Sequence, residues 1–169
     1  MISETDKAWM AGFLDGEGYI SIVKQVRKYR PSPAYRPYVM VSNTHREALT
    51  PFLEEYGGAV YKTYEKRVDK SGLKWSDAYH WYCPVSSTKR LLLDTLRYFK
   101  LKRRQAELVL EFIEKRRTFA RRNRNGKFGS APFAKEEIEF RERLVVQVKA
   151  LNSKGYFARH EKLDDQNKR

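Results

Sequence analysis

The 169-residue chain carries 35 Lys and Arg against 21 Asp and Glu, a net charge of +14, with 41% hydrophobic residues. That apolar content suits one globular domain with its own core and excludes a disordered chain, and the charge points to a polyanionic partner, nucleic acid before an anionic membrane surface. No apolar run approaches the ~20 residues that span a bilayer, the lone Cys83 excludes a disulfide framework and a cysteine zinc site, and Met1 to Asp6 lacks the pattern of a signal peptide, so an intracellular, membrane-free protein is expected.

Thr5 to Gly16 is predicted helical, capped by Thr5 or Asp6 and ended by glycine. Tyr19 to Arg27 alternates as a strand, with Ile20 and Ile22 on one face and Tyr19, Ser21, Val23, Gln25 and Arg27 on the other. Lys28 to Ala34 holds two prolines and is predicted to be a hairpin loop. Tyr35 to Ser42 is a second strand, Val39 and Val41 inward, Arg36, Tyr38 and Met40 outward. Thr44 to Tyr56 is helical, with Pro51 starting a fresh turn or kinking it, and Gly57-Gly58 stops it.

The strand–strand–helix order then recurs. Ala59 to Arg67 and Ser76 to Cys83 are strands around the turn at Asp69 to Gly72, and Ser86 or Ser87 caps a helix reaching about Phe99. Leu101 to about Arg122 is a long amphipathic helix. A basic loop follows to Phe133, and Ala134 to Leu151 is a last helix with Ile138, Leu144, Val145 and Val148 as its apolar stripe. Residues 152–169 are polar and expected to be loosely ordered. Nothing splits the chain, so a single α+β domain over 1–169 is expected.

The informative segment is Met10 to Gly18, an apolar small-residue helix running into Asp15-Gly16-Glu17-Gly18 and then a strand. A calcium loop is excluded: with Gly18 as the turn glycine, Phe13 and Lys24 fall at the first and last ligand positions. A phosphate-cradling loop is excluded because such loops run from strand to helix. Two readings stand. One is a helix stop followed by a solvated acid. The other is a carboxylate that binds Mg²⁺ together with substrate phosphate oxygens, with the Gly16 carbonyl as a second ligand. Ala8, Gly12 and Gly16 recur four apart, with Ala11 adjacent. That stripe either packs within the chain or lets two copies of the helix approach closely, bringing two Glu17 side chains together as a two-metal phosphodiester site.

Met10 to Gly18 resembles the nine-residue signature of the LAGLIDADG homing endonucleases, with Met for the first Leu, Phe for the second and Glu at the eighth position. Phe99-Lys100-Leu101-Lys102-Arg103-Arg104-Gln105-Ala106 resembles the basic segment that leads into the family's late helix. The resemblance runs from about Ala8 to Phe112. It implies an αββαββα fold with a saddle-shaped antiparallel sheet and additional C-terminal helices. With one copy of the motif it implies a homodimer joined through the signature helices, with Ala8, Ala11, Gly12 and Asp15 at the interface. It implies a site-specific endonuclease that makes double-strand breaks in a long pseudo-palindromic DNA target with Mg²⁺, or Mn²⁺ in its place. Glu17 and Gly16 would hold the metal, Lys102 would stabilise charge, and Asn43 would position water. Without the resemblance, Lys102 reads as a surface lysine and Asn43 equally as a helix cap. His45 and Arg46 are candidates for a further basic residue. The alternative function is a nucleic-acid-binding protein of the same fold that does not cleave, an intron-RNA maturase or a DNA-binding regulator.

The DNA-facing set expected from strand alternation is Ser21, Gln25, Arg27, Arg36, Tyr38, Lys62, Tyr64 and Lys66, on paired strands able to enter a major groove. On the fourth strand the alternation leaves open whether Tyr79 and Trp81 or His80 and Tyr82 face DNA. Arg116, Arg117, Arg121, Arg122, Arg124 and Lys127 form a second basic cluster suited to phosphates.

Overall fold

A computed structural model describes residues 2–28, 32–63, 72, 77–122 and 132–153, with backbone alone at 117 and 119–122. Helix α1 (Glu4–Glu17) starts one residue before the expected Thr5 because Ser3 is its cap. The Ser3 hydroxyl accepts the Asp6 backbone N–H at 3.1 Å, and the Asp6 carboxylate accepts the Ser3 N–H at 3.4 Å. Each side chain thereby satisfies a donor that the helix start leaves over. The helix also runs one residue past Gly16, so Glu17 is its last residue.

Strand β1 (Gly18–Gln25) begins immediately, and the Gly18 N–H donates back to the Leu14 carbonyl. A Cβ on Gly18 would lie 2.5 Å from the Leu14 carbonyl oxygen and 2.8 Å from its Cα. Glycine is required here because backbone fills the space a side chain needs.

Strand β2 (Ala34–Asn43) pairs antiparallel with β1, from Gly18 opposite Val41 to Gln25 opposite Ala34. The expected helix at Thr44 to Tyr56 is two pieces: a 3-10 turn at Arg46–Leu49, then α2 (Thr50–Tyr56). Pro51 sits in the first turn of α2, where its missing N–H costs nothing. Strand β3 (Ala59–Thr63) and strand β4 (Ala78–Tyr82) pair with each other, and β4 pairs with β2, giving the antiparallel order β1-β2-β4-β3.

Helix α3 (Val85–Thr95) begins at Pro84, not at a serine cap. Ser86 and Ser87 lie inside it. Helices α4 (Arg103–Arg122) and α5 (Lys135–Asn152) complete the chain. No helix among the described residues is long and apolar enough to cross a membrane.

The inner face of the sheet supplies Ile20, Ile22, Val39, Val41 and Trp81 to the core. Met10, Ala11 and Leu14 of α1, Phe52 and Tyr56 of α2, Leu91 and Leu92 of α3, and Leu108, Val109 and Phe112 of α4 pack against it. Trp81 is fully buried, and its Nε1–H donates to the Gly57 carbonyl at 2.8 Å, so its one polar group is satisfied.

On α5, Leu144, Val145 and Val148 are buried as expected, but Ile138 is only half-buried and Glu137 and Arg141 take the inward positions. These two form a buried ion pair one turn apart, and the Arg141 guanidinium lies 4.2 Å over the Phe133 ring. Asn152, expected to open the loose tail, instead ends α5 and donates its side-chain N–H to the Ile20 carbonyl at 2.9 Å. That bond, with the salt bridge between Lys24 and Glu142 at 2.5 Å, clasps α5 to the edge strand β1.

Candidate active site

The C-terminal turn of α1 meets the segment that leads into α4, and two side chains tie them together in opposite senses. The Asp15 carboxylate accepts three successive backbone N–H groups: Lys100 at 2.7 Å, Leu101 at 3.2 Å and Lys102 at 2.8 Å. It neutralises the positive end of α4. In return the Lys102 ammonium donates to the Asp15 carbonyl at 2.6 Å, an acceptor at the end of α1, and adds a second bond at 2.8 Å to the Leu14 carbonyl that Gly18 already engages. Burial lowers the proton affinity of Lys102, and the negative charges of Asp15 and Glu17 oppose that shift.

Glu17 is exposed and takes part in no hydrogen bond or salt bridge among the described residues. It stands at the negative end of the α1 dipole, beside the Gly16 carbonyl. Lys102 occupies the carbonyls of residues 14 and 15 and leaves Glu17 and Gly16 to a cation. One carboxylate, one carbonyl and a basic surface that attracts phosphate fit Mg²⁺, which keeps several waters and shares its remaining positions with substrate phosphates. No cluster of three acidic, histidine or cysteine ligands occurs among the described residues.

Asn43 ends β2 and serves a turn: its Oδ1 accepts the His45 backbone N–H at 2.8 Å. Because that N–H can only donate, the amide NH₂ of Asn43 is left to face elsewhere, with two protons to offer a water. His45 and Arg46 are both exposed beside it.

The stripe on α1 divides in two. Ala8, Gly12 and Gly16 are exposed, and a Cβ built on Gly12 or Gly16 meets nothing within 4 Å. Ala11 is fully buried in its own core and offers no surface to a second copy, and the Asp15 carboxylate is engaged within its own chain. Trp9 joins the exposed side at 43% exposure, stacked against Phe13 with ring centroids 5.1 Å apart.

Register decides the outer face of the sheet. Residues opposite one another share a face, so Tyr19, Ser21, Val23 and Gln25 on β1, Arg36, Tyr38, Met40 and Ser42 on β2, His80 and Tyr82 on β4, and Tyr61 and Thr63 on β3 line one side. Trp81 is buried and Tyr79 packs on the core, which resolves the fourth strand in favour of His80 and Tyr82. Gln25, Arg36 and Tyr38 are where alternation puts them, and Arg27 is exposed just beyond β1.

Two expectations for this face are corrected. Ser21 is on the expected side but buried, a short side chain opposite Tyr38 and between Tyr19 and Val23. Lys62 pairs with Tyr79 on the Trp81 side and forms a salt bridge with Asp77, so Tyr61 takes the outer position. Tyr64 and Lys66 lie outside the described residues. Of the second basic cluster, Arg116 is exposed on α4, and the side chains of Arg117, Arg121, Arg122, Arg124 and Lys127 lie outside the described residues.

Four tyrosines cross the outer face strand by strand. Tyr19 and Tyr38 have centroids 6.0 Å apart, Tyr38 and Tyr82 5.9 Å, and Tyr82 and Tyr61 5.7 Å, each pair edge to face. Burial, with Tyr82 alongside, raises the Tyr38 phenol above its ordinary value, so it stays a neutral donor.

The fold as a whole matches solved structures. An archaeal intron-encoded homing endonuclease solved in complex with DNA, I-Vdi141I, superimposes with a TM-score of 0.63 over 90% of this chain and 87% of that one, at 14% identity. The chain has the fold of the LAGLIDADG homing endonucleases. I-CvuI, crystallised on a DNA target with magnesium and the DNA uncleaved, matches at 24% identity and a TM-score of 0.53 over 83% of this chain and 95% of that one. I-LtrWI, described as a LAGLIDADG homing endonuclease bound to target DNA, matches at 17% identity and 0.53, over 85% of this chain and 45% of that one. No protein-family model and no curated protein sequence matches the chain.

Proposed function

We propose that this protein is a site-specific, divalent-metal-dependent DNA endonuclease of the homing type that acts as a homodimer. The observation that carries the reading is Glu17: an exposed carboxylate with no hydrogen bond or salt bridge among the described residues, held at the end of a helix whose neighbouring carbonyls Lys102 engages. A binding protein of charge +14 gains nothing from an acid placed where phosphates approach.

Glu17 and the Gly16 carbonyl would hold Mg²⁺, or Mn²⁺ in its place; a divalent ion there supplies charge neutralisation at the scissile phosphate and a bound water of lowered pKa. Lys102 gives two of its three protons to helix carbonyls and keeps the third for a phosphate oxygen. Anchored so, it brings positive charge without reorganising when the transition state forms. Asn43, fixed through its oxygen, would turn its NH₂ toward a water. Ala8, Gly12 and Gly16 lie open on α1, and small residues at that spacing would let a second copy of the helix approach until two Glu17 carboxylates share one centre. Gln25, Arg27 and Arg36 would contact bases and phosphates from the strands.

The test is incubation of the purified protein with a randomised duplex DNA library and Mg²⁺. Discrete double-strand cuts in a pseudo-palindromic consensus support the reading. Selective binding with no cut under Mg²⁺ or Mn²⁺ overturns the nuclease and leaves a binder of the same fold.

A further inference from the structure

β4 is an inner strand of the sheet, and His80 stands at its centre on the outer face. Its register partners are Ser42 on β2 and Tyr61 on β3. The β1–β2 ladder starts at Gly18, the residue after Glu17, opposite Val41, and Ser42 follows Val41 on β2. The Ser42–His80 pair therefore lies at the end of the sheet where α1 runs into β1. Ser42 Oγ and His80 Nδ1 are 2.6 Å apart, a hydrogen bond that fixes the ring. Nε2, at the opposite edge of the ring, meets no partner among the described residues. Its register partners and ring neighbour among the described residues are uncharged: Ser42, Tyr61 and Tyr82.

On the reading that this face enters a DNA major groove, we propose that His80, oriented by Ser42, is a specificity-determining residue that selects guanine near the cleavage centre of each half-site. When the Ser42 hydroxyl donates to Nδ1, the ring proton resides on Nε2. A donor at that position meets two acceptors on guanine, N7 and O6, whereas adenine sets its N6 amino donor beside N7. The tyrosines around it bring apolar edges and exclude water, so this single oriented donor decides the base at that position.

Cleaved sequences selected from a randomised duplex library test the inference, comparing the parent with His80→Phe, His80→Asn and Ser42→Ala. The parent enriches guanine at one position per half-site beside the cut, by about tenfold. His80→Phe loses that preference alone, with the rest of the consensus and the melting temperature unchanged. His80→Asn moves the preference to adenine, whose N6 and N7 suit an amide. Ser42→Ala weakens the guanine preference by about threefold while the imidazole remains. A consensus that keeps its guanine in His80→Phe, or that shows none beside the cut in the parent, overturns the inference and leaves the nuclease standing. A parent that selects no sequence at all overturns both.

Discussion

The two sides of α1 are governed by different constraints. On one side, Met10, Ala11 and Leu14 are buried, Gly18 is pressed against Leu14 backbone, and Asp15 is bonded to three amides of the α4 approach. On the other, Ala8, Gly12, Gly16 and Glu17 are exposed, and a Cβ built on Gly12 or Gly16 meets nothing within 4 Å. Folding needs the first set. Nothing in the fold of one chain needs the second, since glycine inside a helix costs about 1 kcal/mol relative to alanine. The nine-residue segment thus carries one instruction for the core and, on the proposed function, a second for a partner and a metal.

The comparison is broken most sharply at Glu17. Glu17→Gln keeps shape and DNA affinity but lowers the cleavage rate by about 10³-fold or more, since several kcal/mol of charge stabilisation depends on the metal it holds. Single-turnover cleavage beside a binding titration checks this, and retained cutting removes Glu17 from the metal site.

Gly12→Leu comes next. Each copy inserts a bulky side chain into a symmetric contact, so dimerisation weakens by about 2–6 kcal/mol, at about 1–3 per copy, while the monomer stays folded. Sedimentation with circular dichroism separates the two effects.

Gly18→Ala acts on the other side of the helix. Its Cβ would meet Leu14 backbone at 2.5 Å, and unfolding stability falls by about 1–3 kcal/mol in a denaturant titration. Asp15→Ala removes the acceptor that caps α4 and lowers stability by about 1–2 kcal/mol by the same measurement.

The smallest effect has the opposite sign. Gly12→Ala, measured where the chain is monomeric, raises stability by about 0.5–1 kcal/mol, because the added methyl meets open space and favours the helix. A loss there would place Gly12 among the residues the fold requires.

Much of the architecture was legible in local pattern. Alternation puts Val39 and Val41 inward and Arg36 and Tyr38 outward, and the register agrees. Glycine pairs and Pro51 mark the ends of α1 and α2 because their backbone limits are local. The errors fall where a partner is distant in sequence. Lys62 reads as outward from the alternation of its own strand, but the register opposite Tyr79 puts it on the Trp81 side, paired with Asp77. Ile138 yields its inward place to Glu137 and Arg141, since a charge can be buried when an opposite charge lies beside it and aromatic rings cover its face. Asp15 reads as an interface residue, and only the fold reveals three amides 85 to 87 positions away on its carboxylate.

The candidate site follows the same division. Glu17 and Gly16 could be named from one local segment, whereas Lys102 and Asn43 are candidates only through the family resemblance and read otherwise as a surface lysine and a cap. The bonds from Lys102 to the end of α1, the freedom of Glu17, and the pairing of Ser42 with His80 belong to the folded chain alone. They depend on the meeting of segments dozens of residues apart, and the free energy that selects such meetings comes from burying the whole core rather than from any short stretch of sequence.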